Sequence, residues 1–197
     1  MDLMPPLLLE ILATAANLLF ILLLIREDIR CWFFGITGSL LSVLLFIHVR
    51  LYFEAVLYVF YALMGCWGWL RWHRRLAVDD NPVMTWRPAT HVKTITAGAA
   101  CALGLGLLAQ AYTDAERPLF DAATTCFSFI ATYMEINKVL EGWIYWFVLN
   151  LASIWLYHDR SLDIYAALIA LYTLLSVWGF FTWRRAWRAQ SAAALRD

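Results

Sequence analysis

The 197-residue chain reads as an all-α polytopic membrane protein: seven transmembrane helices, two parallel three-helix repeats joined by a linker helix (3+1+3). Three observations predict this. The residues are 63% hydrophobic and 15% charged, against about 45–50% and about 25% in soluble domains. Seven stretches are long and apolar enough to cross a bilayer core. The pattern Trp67-Gly68-Trp69-Leu70-Arg71-Trp72-His73-Arg74-Arg75 returns 111 positions later as Trp178-Gly179-Phe180-Phe181-Thr182-Trp183-Arg184-Arg185.

A spanning helix needs about 20 mostly apolar residues. The stretches are Leu7–Ile25, Trp32–Val49, Glu54–Leu70, Thr94–Tyr112, Leu119–Ile136, Trp143–Tyr157 and Ile164–Trp183. The first has no basic flank or small-residue cleavage site, so it reads as a retained span. The sixth is short, as an upright helix would be. The connections are short and polar except Arg74–Lys93, which holds Asp79, Asp80, Asn81, Pro82 and Pro88 and reads as a linker. The expected organisation is residues 1–75 as the first repeat, 76–113 as polar linker plus fourth helix, 114–188 as the second repeat and 189–197 as a polar tail.

Orientation follows from the fifteen Lys and Arg residues. With seven crossings, twelve fall on one side and Arg50, Arg117 and Arg160 on the other. The positive-inside bias predicts an outside N-terminus and a cytoplasmic C-terminus. Net charge is zero, so no nucleic-acid partner is suggested. The four cysteines form no Cys-x-x-Cys pair and read as small core residues.

The 111-residue offset also pairs Thr14 with Thr125, Trp32 with Trp143, Ser42 with Ser153 and Tyr61 with Tyr172. Two adjacent triplets would face opposite ways; a fourth helix between them makes them parallel. Parallel repeats are a known transporter design, with the substrate site near the midplane at the repeat interface.

Candidate site residues follow from chemistry that suits a small flat ligand. The chain has 11 Trp, 9 Tyr and 12 Phe. Trp72, Trp86, Trp183 and Trp187 sit where an interfacial aromatic belt is expected. Tyr58, Tyr61, Trp69 and Trp72 are spaced to share one helix face, as a packing stripe or as an aromatic wall for a flat, cationic ligand. Glu54, Asp121 and Asp163 lie near outer helix ends, where Glu54 or Asp121 could attract a cation. Glu135 is spaced to pair with Lys138 at i, i+3. Asn150 is the deepest polar side chain, suited to an interhelical hydrogen bond or to a polar substrate. There is no Gly-x-Ser-x-Gly, His-Glu-x-x-His or phosphate-loop motif. An enzyme, a catalytic or metal site, a cofactor and direct ATP drive are therefore not expected.

Taken together, Trp32-Phe33-Phe34-Gly35, Leu51-Tyr52, Trp67-Gly68-Trp69-Leu70-Arg71-Trp72, Glu141-Gly142-Trp143-Ile144-Tyr145-Trp146 and Asn150 resemble the PnuC family of vitamin transporters, best known for nicotinamide riboside uptake in bacteria. The resemblance places the chain in a bacterial inner membrane. It implies a carrier of nicotinamide riboside by facilitated diffusion, with a cytosolic kinase trapping the product. It adds Trp143 and Trp146 to Tyr58, Tyr61, Trp69, Asn150, Glu54 and Asp121 as substrate-binding candidates. Trp67 stands where the family has Tyr, Gly142 where it has Asn, and Tyr58 and Gly65 where nicotinamide riboside members carry Gln and Asn. Gly38 replaces an Asn common in the second helix. These departures keep thiamin, riboflavin or a deoxynucleoside open as cargo. A non-transporting membrane sensor or assembly subunit is the competing class, and a homo-oligomer stays open.

Overall fold

The computed structural model describes residues 6–48, 52–77, 81–113, 117–159 and 163–193. Arg50, Leu51, Asp79, Asp80, Arg160, Leu162, Arg196 and the side chains of Glu54 and Asp163 lie outside the described residues. Among the described residues the chain forms seven helices and no strand: α1 Pro6–Ile25, α2 Arg30–His48, α3 Tyr52–Leu76, α4 Pro88–Tyr112, α5 Pro118–Ile136, α6 Gly142–Asp159 and α7 Asp163–Ala193. By length and composition alone, α1, α2 and α4 are apolar enough to cross a membrane.

The chain divides into two compact units, residues 1–81 and 82–197. In the first, α2 packs against both α1 and α3. In the second, α5 packs on α4, α6 on α5 and α7 on α6.

The repeat seen in the sequence has a backbone counterpart inside each unit. After α1, the Glu27 N–H donates to the Leu24 carbonyl at 3.0 Å and the Asp28 N–H to the Leu23 carbonyl at 3.0 Å. After α5, the Lys138 N–H donates to the Glu135 carbonyl at 3.0 Å and the Val139 N–H to the Met134 carbonyl at 2.8 Å. Every position is offset by 111. Both are Schellman turns, whose C′ residue must take the left-handed conformation. Glu27 does so at φ 56° and Lys138 at φ 51°. The side chains echo as well. Trp32 and Trp72 meet edge to face at 5.4 Å and 89°, and Trp143 and Trp183 at 5.3 Å and 90°. Gly68 lies under the Trp32 ring and Gly179 under the Trp143 ring, where a Cβ would come within 2.6 Å of ring carbon in each case.

Burial corrects one expectation. Trp72 and Trp183 are both 0% exposed, so they are packing residues rather than an interfacial belt. Their equivalent partners Trp32 and Trp143 hold them, a relation that helix-end position does not reveal.

The linker is also shorter than its composition suggests. The α3 helix runs on to Leu76, and α4 starts at Pro88, whose preset φ suits a first helical position. Within the second unit, residues 83–86 are clamped. The Met84 N–H donates to the Lys138 carbonyl at 2.9 Å, and the Leu140 N–H to the Met84 carbonyl at 2.8 Å. The Val83 N–H donates to Gln190 Oε1 at 3.1 Å and the Trp86 N–H to Glu141 Oε2 at 3.3 Å. A segment without helix or strand must satisfy its backbone groups elsewhere. Gln190 serves this because α7 stays helical to Ala193, although the sequence reads residues 189–197 as a polar tail.

Helix α4 meets α5 through Gly98, Ala102 and Gly106, all buried at four-residue spacing. Small residues so spaced let two helices approach closely. Cys101 Sγ and Cys126 Sγ lie 3.7 Å apart at this contact. Cys31 and Cys126 are buried as expected of core residues, but Cys66 and Cys101 are exposed.

Candidate substrate-binding site

Helix α6 carries Trp143, Trp146 and Asn150 at spacings of three and four, which place them on one face. Each contributes differently. Trp143, 1% exposed, is locked against Trp183 and over Gly179. It positions the first turn of α6. Trp146 is half-buried, with its indole Nε1 enclosed and the Glu135 carboxyl beside it. Asn150, one turn further, is half-buried, and its Nδ2 donates to Ser176 Oγ on α7 at 3.4 Å. Ser176, 1% exposed, donates to the Tyr172 carbonyl at 2.9 Å. The hydroxyl is thereby oriented to accept from Asn150. The amide leaves its own carbonyl for another partner, since an Asn side chain both donates and accepts.

In the first unit, Tyr58 lies 5.2 Å from Phe46 and 5.7 Å from Tyr61, ring centroid to centroid. Tyr58 and Tyr61 are half-buried and form a continuous aromatic surface between α2 and α3. Trp69 does not join it. It is 46% exposed and stacks on His73 at 5.6 Å and 23°. The expected stripe of Tyr58, Tyr61, Trp69 and Trp72 is thus divided: a tyrosine pair, an exposed Trp69 and a fully buried Trp72. Asp121 is exposed in the first turn of α5, at the end opposite the turn that leads to Trp143.

Sequence reasoning missed Ser176, which the 111-residue offset pairs with Gly65, a residue with no side chain to flag it. The sequence spaces Glu135 to pair with Lys138 at i, i+3. In the structure Lys138 stands beyond the end of α5 with a left-handed backbone, so helical i, i+3 geometry does not apply. The Glu135 side chain is 6% exposed and faces Trp146 instead.

An enclosed indole N–H, an oriented amide and an oriented hydroxyl on α6 and α7 are the kind of polar groups that fix a small ligand in an apolar setting. The nicotinamide mononucleotide transporter family model matches residues 7–185. The chain belongs to that family. It is similar to the nicotinamide riboside transporter PnuC of Escherichia coli K12 and to that of Shigella flexneri, each 22% identical over 94% of this chain and 89% of theirs. The crystal structure of the vitamin B3 transporter PnuC superposes with a TM-score of 0.75 at 16% identity, covering 92% of this chain and 82% of that one. The match to the transporter family includes both tryptophan pairs, both Schellman turns and all of α6.

Proposed function

We propose that this chain carries nicotinamide riboside across the bacterial inner membrane by facilitated diffusion, with the α6–α7 face of Trp146, Asn150 and Ser176 as its principal reading surface. The observation that carries the proposal is the Asn150–Ser176 hydrogen bond. It orients an amide beside an indole, so ring stacking and hydroxyl recognition can act on one ligand. The names of the two bacterial relatives point to the riboside, while the family model is described by the mononucleotide. The site chemistry favours the riboside. A phosphate dianion calls for Arg or Lys, and this face offers an indole, an amide, a hydroxyl and the nearby Glu135 carboxyl.

The remaining features complete the reading. On this reading the chain crosses seven times in a 3+1+3 order, with residues 1–75 and 114–188 as parallel repeats, and the uneven Lys and Arg distribution supports an outside N-terminus and a cytoplasmic C-terminus. Trp143 positions α6, Tyr58 and Tyr61 offer a second aromatic surface, and Glu54 and Asp121 attract the cation at the outer mouth. With no nucleotide-binding motif, transport runs down the gradient and a cytosolic kinase retains the product. A second reading rests on Tyr58: its contacts with Phe46 and Tyr61 replace a polar group by an aromatic surface, which suits thiamin, riboflavin or a deoxynucleoside.

Calorimetric titration of the purified chain with nicotinamide riboside, its mononucleotide, thiamin, riboflavin and deoxynucleosides tests the cargo. Trp146→Ala and Asn150→Ala should each weaken binding by about tenfold, the loss of one stack or hydrogen bond. Uptake into proteoliposomes should equilibrate without ATP. Tighter binding of the mononucleotide, or accumulation that requires ATP, would overturn the proposal. No binding by any of these ligands would favour a sensor or assembly role.

A further inference from the structure

Helix α3 carries His73, Arg74 and Arg75 in its last turn. Two general causes account for those charges. Cations are favoured beside the partial negative charge at a helix C-terminus, and basic residues collect at one membrane edge. Neither cause calls for Arg71, one turn earlier. The repeat separates the two positions. The equivalent of Arg74 in the second unit is Arg185, so that charge is kept, but the equivalent of Arg71 is Thr182. The Thr182 hydroxyl turns back and donates to the Trp178 carbonyl at 3.0 Å. The same helix end therefore forms with a side chain that satisfies itself, and Arg71 is an added guanidinium in the first unit.

Arg71 Nε is enclosed and meets no hydrogen-bond partner. A buried donor is nearly always paired, so one without an acceptor points to a partner outside the chain. Among the described residues no carboxylate pairs with Arg71, Arg74 or Arg75; the ion pair found there joins Arg30 to Asp28. Positions 71, 74 and 75 share one helix face, with Trp67 one turn before them. Trp67 is 38% exposed, Arg74 is exposed, and Arg71 and Arg75 are half-buried. At the helical rise, Trp67 stands about 6 Å before Arg71 along the axis and Arg75 about 6 Å beyond it. An indole followed by guanidiniums is the order of groups at a bilayer edge, with the ring at headgroup level and the charges reaching outward. The level is set by the neighbouring residue. Trp72 meets Trp32, the third residue of α2, and α2 is long and apolar enough to cross a membrane. Arg71 thus stands beside the start of a spanning helix.

We propose that Arg71, Arg74 and Arg75 bind the phosphodiester headgroup of an anionic phospholipid, with Trp67 against its glycerol and upper acyl region. A guanidinium presents two parallel N–H donors to a phosphate, which an ammonium cannot match. A zwitterionic lipid carries its own cation to the same place and loses most of the attraction. The site is independent of which cargo the chain carries.

Native mass spectrometry of the full chain in detergent tests this, with dioleoyl phosphatidylglycerol as the probe and dioleoyl phosphatidylcholine and inorganic phosphate as comparisons. Phosphatidylglycerol should bind about tenfold more tightly than phosphatidylcholine, and inorganic phosphate should not displace it. Arg71→Gln should weaken phosphatidylglycerol by about tenfold, the loss of one charge-assisted pair. Arg185→Gln with Arg188→Gln removes two charges from the end of α7 and should change the affinity by less than about twofold, because charges away from the site act through screening solvent. If Arg71→Gln does not fold, Arg74→Gln with Arg75→Gln must show the tenfold loss. Equal binding of the two lipids, unchanged affinity in Arg71→Gln, or an equal loss in the α7 variant overturns the site. Displacement by inorganic phosphate overturns it as a lipid site and leaves a site for a free anion.

Discussion

Replacing Gly179 by alanine should destabilise the protein, although glycine to alanine within a helix ordinarily stabilises. Alanine is favoured over glycine in a helix interior by about 0.5–1 kcal/mol. Against this, a Cβ at position 179 would stand 2.6, 2.7 and 2.7 Å from three carbons of the Trp143 ring. Carbon atoms rest at about 3.5–4.0 Å, so about 1 Å of clearance is missing. The ring has nowhere to yield: it is 1% exposed and abuts Trp183 at 5.3 Å. Overpacking of this kind costs about 1–3 kcal/mol. The net expectation is a loss of about 1–2 kcal/mol, or about 2–8 °C in melting temperature for a chain of this size. Thermal unfolding in detergent, followed by tryptophan fluorescence, measures it. Gly104 is the control, because a Cβ there meets nothing within 4 Å, and Gly104→Ala should raise the melting temperature. Gly68→Ala, under Trp32, should behave as Gly179→Ala does. A higher melting temperature for Gly179→Ala would refute the reasoning, since the tryptophan seat would then not be close-packed.

Three further outcomes are expected. Asp28 accepts hydrogen bonds from the Arg30 backbone and side chain at 2.9 and 3.0 Å, and these hold its carboxyl below the usual carboxylate range. A lowered folded pKa gives stability that is present above the unfolded pKa and lost as pH falls through the folded one. Asp28→Ala should therefore cost about 0.5–1 kcal/mol as a lost helix cap at neutral pH, with the difference from the parent closing below about pH 4. Equal differences in melting temperature at pH 7 and at pH 3 would contradict it. Glu27, at φ 56°, should tolerate Gly but lose more than about 1 kcal/mol on replacement by Val, whose branched Cβ is ill suited to left-handed backbone; denaturant titration of the pair decides. Reporter fusions after Arg75 and after Trp187 should both report a cytoplasmic location, and a periplasmic signal at either would break the seven-crossing topology.

Much of the fold was legible because it is written in local and periodic features. Apolar length marked α1, α2, α5 and α6 closely but missed the polar ends that carry α3 to Leu76 and α7 to Ala193, and Pro88 and Pro118 mark helix starts that composition alone placed late. The offset of 111 was visible as Trp-Gly with a second Trp five residues on, and it predicted that Trp32 and Trp143 hold corresponding places. Trp143, Trp146 and Asn150 could be placed on one face from spacing alone, because helical periodicity fixes direction around the axis.

What the sequence could not decide is which neighbour each of those faces meets. Trp72 and Trp183 look like interfacial residues by position, yet they are core because Gly68 and Gly179 open a seat for the opposing ring. Ser176 and Asn150 are 26 residues apart, and only the packing of α7 on α6 makes them partners. Glu135 looked paired with Lys138 because i, i+3 spacing assumes that the helix continues. The left-handed turn at Lys138 ends that geometry and leaves the carboxyl facing Trp146. Periodicity along one helix is a property of the chain alone. The pairing of side chains between helices depends on small residues and turn conformations, whose effect exists only once two elements meet.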